Sequence, residues 1–257
     1  MNTIGCDMGS LFTKIVLLSE DHGLLAREVV ATGGTIGEQV PQLIATLLER
    51  AGLRAREVEL IAATGRGADL VQQAELVEDE MTCVGVAVRH FLPDVEQVLE
   101  VGGQNITAIG LDAEGDVVDF VRNDKCASGT GRFLEVMSEA LGLPIAELDA
   151  SAARSTRHVH LSSQCGVFVE SEVITHLNAG VPPADVGAGL CDAVARIIVS
   201  QAGRLGQAGS FTLTGGVARL QTVVQMVRDR LAPRRHLPFP QDPQLCAALG
   251  AALLAAE

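Results

Sequence analysis

Two lone cysteines, each opening an amphipathic stretch, carry the most distinctive chemistry in this sequence. Cys126 lies in N-D-K-C-A-S-G-T-G-R-F-L-E-V-M, where Ser128, Gly129, Thr130 and Gly131 form a small-residue entry. Phe133, Met137 and Leu141 then recur at helical spacing. Cys165 lies in S-S-Q-C-G-V-F-V-E-S-E-V-I, after Ser162 and Ser163 and before an apolar run through Phe168, Val169 and Val173. A thiolate at a helix start feels the positive end of the helix dipole, which lowers its pKa and favours metal binding. Neighbouring glycines leave room for a bulky group to approach the backbone.

A second chemistry lies in glycine turns that follow apolar strands. I-G-C-D-M-G-S puts Asp7 at a strand end and Gly9 and Ser10 in the turn, with Thr13 and Lys14 following. V-L-E-V-G-G-Q-N repeats the plan, aligning Glu100 with Asp7 and Gly102 with Gly9 at one fixed offset, ahead of Gly103 and Gln104. F-T-L-T-G-G-V-A adds a third such turn at Thr214, Gly215 and Gly216. Backbone N–H groups in tight glycine turns cradle phosphate oxygens, and a strand–glycine–helix turn is built to approach a nucleotide. A carboxylate beside such a turn can hold Mg²⁺ through the ion's waters.

The elements that must position these residues read as strand, turn and strand over 2–18, a hairpin turn at Glu20 to Gly23, and a third strand from Leu24 to Ala31. A helix follows over Ile36 to Ala51, with Val40, Leu43, Ile44, Leu47 and Leu48 inward. A strand from Glu57 to Thr64 ends in the turn A-T-G-R-G-A-D. Further helices are expected from about Val186 to Gly203 and from Leu220 to Leu231, and a proline-rich link leads to an Ala-rich C-terminal helix. The repeated plan predicts two related βββα-type halves, residues 1–96 and 97–257, as lobes around a cleft.

Composition bounds the partners. The chain has 257 residues, 47% of them apolar, enough for two lobes each with its own core. A net charge of −13, with no basic cluster beyond Arg234-Arg235, argues against nucleic acid and anionic membrane surfaces. The start of the chain has no basic leader, and the apolar run over 246–256 is short of the roughly 20 residues a bilayer needs, so a cytoplasmic protein is expected. The six cysteines include no C-x-x-C pair, and Cys191 and Cys246, set in Ala- and Leu-rich helical patterns, read as buried hydrophobes. His158, His160 and His176 match no zinc spacing and read as surface or strand residues.

With these motifs in place, the chain resembles the 2-hydroxyacyl-CoA dehydratase activators and the ATPase subunits of benzoyl-CoA reductase. Both cysteine motifs, I-G-C-D-M-G-S, A-T-G at Ala63 to Gly65, V-G-G-Q and T-G-G-V-A fall in that family's order across essentially the whole chain. The resemblance implies the α/β two-lobed acetate and sugar kinase/heat-shock chaperone/actin fold with ATP between the lobes. It also implies a 4Fe–4S cluster shared by two subunits, each supplying Cys126 and Cys165, in a homodimer or a heterodimer with a related chain. The implied activity is ATP-driven electron transfer from ferredoxin or flavodoxin to a 2-hydroxyacyl-CoA dehydratase or related iron–sulfur enzyme. Asp7, Gly9, Ser10 and Lys14 match the first phosphate turn, Glu100, Gly102, Gly103 and Gln104 the second, and Gly215 and Gly216 the nucleotide turn. Glu80 matches an acid that could position water.

The chain departs from the family pattern at Glu100 and Asn105, where aspartates are usual, at Arg66 to Ala68, and at Val84. A small-molecule kinase of the same superfamily, with both cysteines buried, is the competing reading, and a fixed subunit of a reductase-type complex is a third.

Overall fold

The computed structural model describes residues 2–123, 128–157, 159–161 and 166–257. In chain order the first strands and helices are β1 (Asn2–Met8), β2 (Phe12–Leu18), β3 (Leu24–Ala31), α1 (Ile36–Ala51), β4 (Val58–Thr64), β5 (Leu76–Val77) and α2 (Glu80–Phe91). They are followed by β6 (Gln97–Val101), β7 (Ile106–Leu111), β8 (Val117–Arg122), α3 (Gly131–Ala140), α4 (Ile145–Ala152), α5 (Gly166–Asn178) and α6 (Pro183–Arg204). The remainder comprises β9 (Ser210–Thr214), α7 (Gln221–Leu231), β10 (Arg235–His236) and α8 (Cys246–Leu254).

The chain forms two compact units. The first comprises Met1–Val95, Leu111–Val118 and Phe239–Glu257; the second comprises Glu96–Gly110 and Asp119–Pro238. The first break falls at Val95. The C-terminal helix packs in the first unit.

Each unit is organised around a five-stranded mixed sheet, and the two sheets have the same plan. The orders are β3-β2-β1-β4-β5 and β8-β7-β6-β9-β10, so strands occupy equivalent places in sequence order. In both, the central strand pairs antiparallel with the next strand in the chain and parallel with the strand that returns after a helix. The duplication inferred from Asp7 and Glu100 is thus a duplication of whole sheets.

In the first unit the pleat sends alternate residues of β1 to opposite faces. Ile4, Cys6 and Met8 join the buried cluster with Val40, Ile44, Leu47 and Leu48 of α1. Thr3 and Gly5 face α8: the Thr3 hydroxyl donates to the Ala252 carbonyl at 2.8 Å, and a Cβ on Gly5 would lie 1.9 Å from the Ala248 carbonyl oxygen. The same alternation puts Asp7 on the α8 face. Helix α8 is buried along nearly all its length, which is why its sequence shows no polar face.

In the second unit α3 to α7 build one core with β6 and β9, centred on α6. Helix α6 has the length and apolarity of a membrane span and is largely buried inside this unit. Helix α7 has no cap of its own. The Asp149 carboxylate of α4 accepts from the Gln221 and Thr222 N–H groups at 3.0 and 2.8 Å and supplies one.

Candidate functional site

The end of β1 delivers a buried carboxylate. Asp7 is 3% exposed and pairs in register with Lys14 of β2, whose Nζ lies 2.5 Å from Asp7 Oδ2 and also donates to the Phe12 carbonyl. Asp7 Oδ1 is buried and has no hydrogen-bond partner among the described residues. On the other side β4 runs parallel, with Thr64 level with Asp7, and Gly65 follows at φ +86°. A Cβ at Gly65 would stand 2.6 Å from Asp7 Oδ1 and 2.8 Å from the Met8 carbonyl oxygen. Buried charge with an uncommitted oxygen is unfavourable unless something binds there. A hard cation, directly or through its waters, suits this geometry.

The second sheet repeats the arrangement. Glu100 of β6 is level with Thr214 of β9, whose hydroxyl donates to Glu100 Oε2. Gly215 follows at φ +86°, and a Cβ there would stand 2.5 Å from Glu100 Oε1 and 2.4 Å from the Val101 carbonyl oxygen. Thr214-Gly215 is therefore the counterpart of Thr64-Gly65, whereas the sequence reading gave it no partner in the first half. Acid, threonine and left-handed glycine recur as a set. The halves differ opposite the acid: Lys14 faces Asp7, but Thr107 faces Glu100 and accepts from Arg122 Nε at 2.9 Å.

Gly9 and Ser10 lie in the turn between β1 and β2. The turn after β6 closes through Gly102 N–H donating to the Asn105 carbonyl, with Gln104 exposed at its tip. The carbonyls of Gly102 and Gly103 accept from the N–H groups of Gly131 and Arg132, each at 2.9 Å. The first N–H groups of α3, free in an isolated helix, are thus satisfied by the glycine turn. The helix that follows Cys126 is anchored directly to the second turn.

Cys126 and Cys165 lie outside the described residues, as does His158. The chain just beyond the two cysteines converges. A Cβ on Gly166 would lie 3.6 Å from the Phe133 ring and 3.8 Å from Ser128 Oγ. Phe133, Met137 and Leu141 are buried as their spacing predicts, and so are Val169 and Val173. Phe168 departs from the expectation: it is 66% exposed, beside Val167 at 71%, so α5 carries apolar side chains outward. Cys191 and Cys246 are buried, and burial, with Asp149 and Asp192 adding to it, pushes the Cys191 thiol up to about 12. His160 is exposed, and His176 sits half-buried in the last turn of α5.

Glu80 opens α2, behind Asp79, whose carboxylate accepts from Met81 N–H at 2.8 Å. Burial pushes the nearby Cys83 thiol up to about 12, opposed by the adjacent Thr64 hydroxyl and assisted by the charges of Glu78, Asp7 and Asp79. Glu78 N–H donates to the Ala63 carbonyl at 3.0 Å, which puts Glu78 at the same end of the sheet as Asp7. Sequence reasoning missed it, because one acid in an E-D-E run has no spacing to mark it.

A pair of sheets of one plan, each presenting an acid beside a glycine turn, is the arrangement of the actin-like ATPase and sugar-kinase fold. The chain belongs to the BadF/BadG/BcrA/BcrD ATPase family, which it matches over residues 4–255. It is 34% identical over 256 residues to a 2-hydroxyisocaproyl-CoA dehydratase activator of Clostridioides difficile, covering 99% of this chain and 95% of that protein. It is 35% identical over 257 residues to the (R)-2-hydroxyglutaryl-CoA dehydratase activating ATPase of Acidaminococcus fermentans, covering 98% and 96%. The structure of an activator of the 2-hydroxyisocaproyl-CoA dehydratase from Clostridium difficile with bound ADPNP is similar at a TM-score of 0.92 and 34% identity, covering 100% of this chain and 94% of that one. A ROK-family glucokinase from Streptomyces griseus, 15% identical at a TM-score of 0.56 over 99% of each chain, shares the fold alone.

Proposed function

We propose that this ATPase activates a 2-hydroxyacyl-CoA dehydratase or a related iron–sulfur enzyme. It would take electrons from a ferredoxin or flavodoxin and use ATP to deliver them at low potential. The observation that carries this reading is similarity along nearly the full length of the chain to two such activators, together with both glycine turns intact. Asp7 in the first unit, and Glu100 in the second, would each offer a carboxylate to Mg²⁺, directly or through water, and Lys14 offsets the charge of Asp7 while no ion is bound. Gly9 and Ser10, Gly103, and Gly215 and Gly216 would bring backbone N–H groups to phosphate oxygens, while the Gly102 N–H closes its own turn on Asn105. Glu80, in the first unit, and Gln104, in the second, would be the residues to orient the attacking water.

Cys126 and Cys165 are proposed as thiolate ligands of one 4Fe–4S cluster shared with the same residues of a second subunit, the support being their motifs and the convergence of Ser128 with Gly166. Such a cluster supplies a one-electron carrier. The anchoring of α3 on Gly102 and Gly103 gives the second phosphate turn a mechanical hold on the stretch that follows Cys126. A reducing, cytoplasmic setting suits thiolate ligands.

Anaerobic reconstitution with iron and sulfide tests the reading. The wild type and Cys191→Ser should turn brown and hold equal iron, whereas Cys126→Ser and Cys165→Ser should stay pale. A colourless wild type that phosphorylates a small molecule would replace this reading with the kinase one.

A further inference from the structure

Thr64 stands beside the oxygen that Asp7 leaves unused. The two residues are level in the parallel pair of β1 and β4, so their side chains leave the sheet on the same face. Thr64 is fully buried and Asp7 is 3% exposed. Among the described residues, four buried side-chain oxygens lack a hydrogen-bond partner, and Asp7 Oδ1 and Thr64 Oγ1 are two of them. Half of the unmet polar demand thus falls on one register pair. Lys14 takes only the other oxygen of Asp7. The adjacent Cys83 stays a neutral thiol, a weak hydrogen-bonding group that leaves the threonine unsatisfied. On the following residue, a Cβ at Gly65 would stand 2.6 Å from Asp7 Oδ1, so glycine keeps that oxygen clear.

The second sheet holds the closed form of the same pair. Glu100 and Thr214 are level in β6 and β9, and the Thr214 hydroxyl donates to Glu100 Oε2. Glutamate is longer than aspartate by one methylene, and the longer acid reaches its threonine. In the first sheet the shorter acid does not, and both groups stay open. A buried orphaned oxygen is costly, and two side by side are the donor set of a site that is filled in the working protein.

We propose that Thr64 is a positioning residue of the Mg²⁺ site: a water of the ion's shell donates one hydrogen to Asp7 Oδ1 and the other to Thr64 Oγ1. This deepens the reading of Asp7 as a carboxylate for the ion and rests on it. Mg²⁺ keeps several of its waters, so a carboxylate with a neighbouring hydroxyl suits it. The hydroxyl of Thr214 does a different job, since it is spent on holding Glu100.

The test measures Mn²⁺ binding by electron paramagnetic resonance of the free ion, with one equivalent of ADP present, beside thermal unfolding in metal-free buffer. Thr64→Val keeps the shape and removes the hydroxyl. It should weaken Mn²⁺ binding about tenfold, the factor expected for losing one charge-assisted hydrogen bond. It should melt no lower than wild type, because the lost hydroxyl had no partner in the empty protein. Thr64→Ser should restore the affinity. Thr214→Val should instead lower the melting temperature by about 2–4 °C, because Glu100 loses its donor. Wild-type Mn²⁺ affinity in Thr64→Val, with the affinity lost in Asp7→Asn, would overturn the proposal and leave the ion reading standing. Equal affinity in wild type and Asp7→Asn would refute the ion reading and the proposal with it. A Thr64→Val protein that melts well below wild type without metal would assign the hydroxyl to the fold and overturn the proposal too.

Discussion

At the scale of residues, Asp7 carries the sharpest expectation. Its buried, half-paired carboxylate leaves one oxygen uncommitted, and Asp7→Asn removes the charge while keeping the shape. ATP hydrolysis should fall by about 10²-fold or more, the usual size of losing one preorganised electrostatic contact. Iron content should stay at the wild-type level, and hydrolysis that survived the change would sink the assignment. Gly215→Ala should damage nucleotide affinity, because its Cβ would displace Glu100 and the φ of +86° strains any larger residue by about 1–2 kcal/mol. Equilibrium binding of a nonhydrolysable nucleotide measures this. Asp185 adds a pH effect. The Ser155 hydroxyl, aided by the Arg157 N–H, holds its carboxyl below the usual carboxylate range. A lowered folded-state pKa stabilises the fold above the ordinary aspartate value, and this stability drains away as pH falls through the lowered one. Ser155→Ala should therefore unfold at lower urea than wild type near neutral pH, and the difference should vanish in acid. Asp7 and Glu100 were legible because each ends an apolar strand before a glycine turn. Glu78 and Thr64 were not, since their meaning lies in which strand or segment lies alongside.

At the scale of elements, periodicity was readable where a helix has one buried face. Helix α1 runs from Ile36 to Ala51 as its stripe of Val40, Ile44, Leu47 and Leu48 predicts. The third strand also ends where its pattern ends, at Ala31. Helix α8 was recognisable as a helix, but its place was hidden, because an all-apolar segment shows no direction in which to pack. Its glycine explains the contact afterwards: a Cβ on Gly250 would stand 1.7 Å from the Cys83 carbonyl oxygen, so α8 and α2 meet backbone to backbone. Gly250→Ala should destabilise the first unit by at least about 1–3 kcal/mol, as overpacking does. Thermal unfolding against Gly33→Ala, a site with nothing within 4 Å of the added methyl, gives the comparison. In α5 the apolar run misled, since Val167 and Phe168 face outward beside Val169, which faces in. Hydrophobic character alone could not separate the two sides.

At the scale of the whole molecule, the duplicated plan was visible from two short segments, and its extent was not. The equivalence of Thr64-Gly65 with Thr214-Gly215 depends on parallel pairing between strands far apart in sequence, which leaves no local trace. The shared-cluster reading makes a prediction at this scale. Reconstituted protein should sediment as a dimer with four irons per two chains, and chelating the iron should weaken the association. A monomer holding four irons by itself would contradict it. Finally, the first unit takes its β1 from the start of the chain and its α8 from residues 246–254, with the second unit's residues between them. On the ribosome, the half synthesised first must wait for the last helix to emerge before its central sheet is covered. Until then Gly5 and the α2 backbone stand open to water and to other nascent chains. Slow translation over the stretch beyond Pro238 should therefore lower the soluble yield more than the same delay placed earlier.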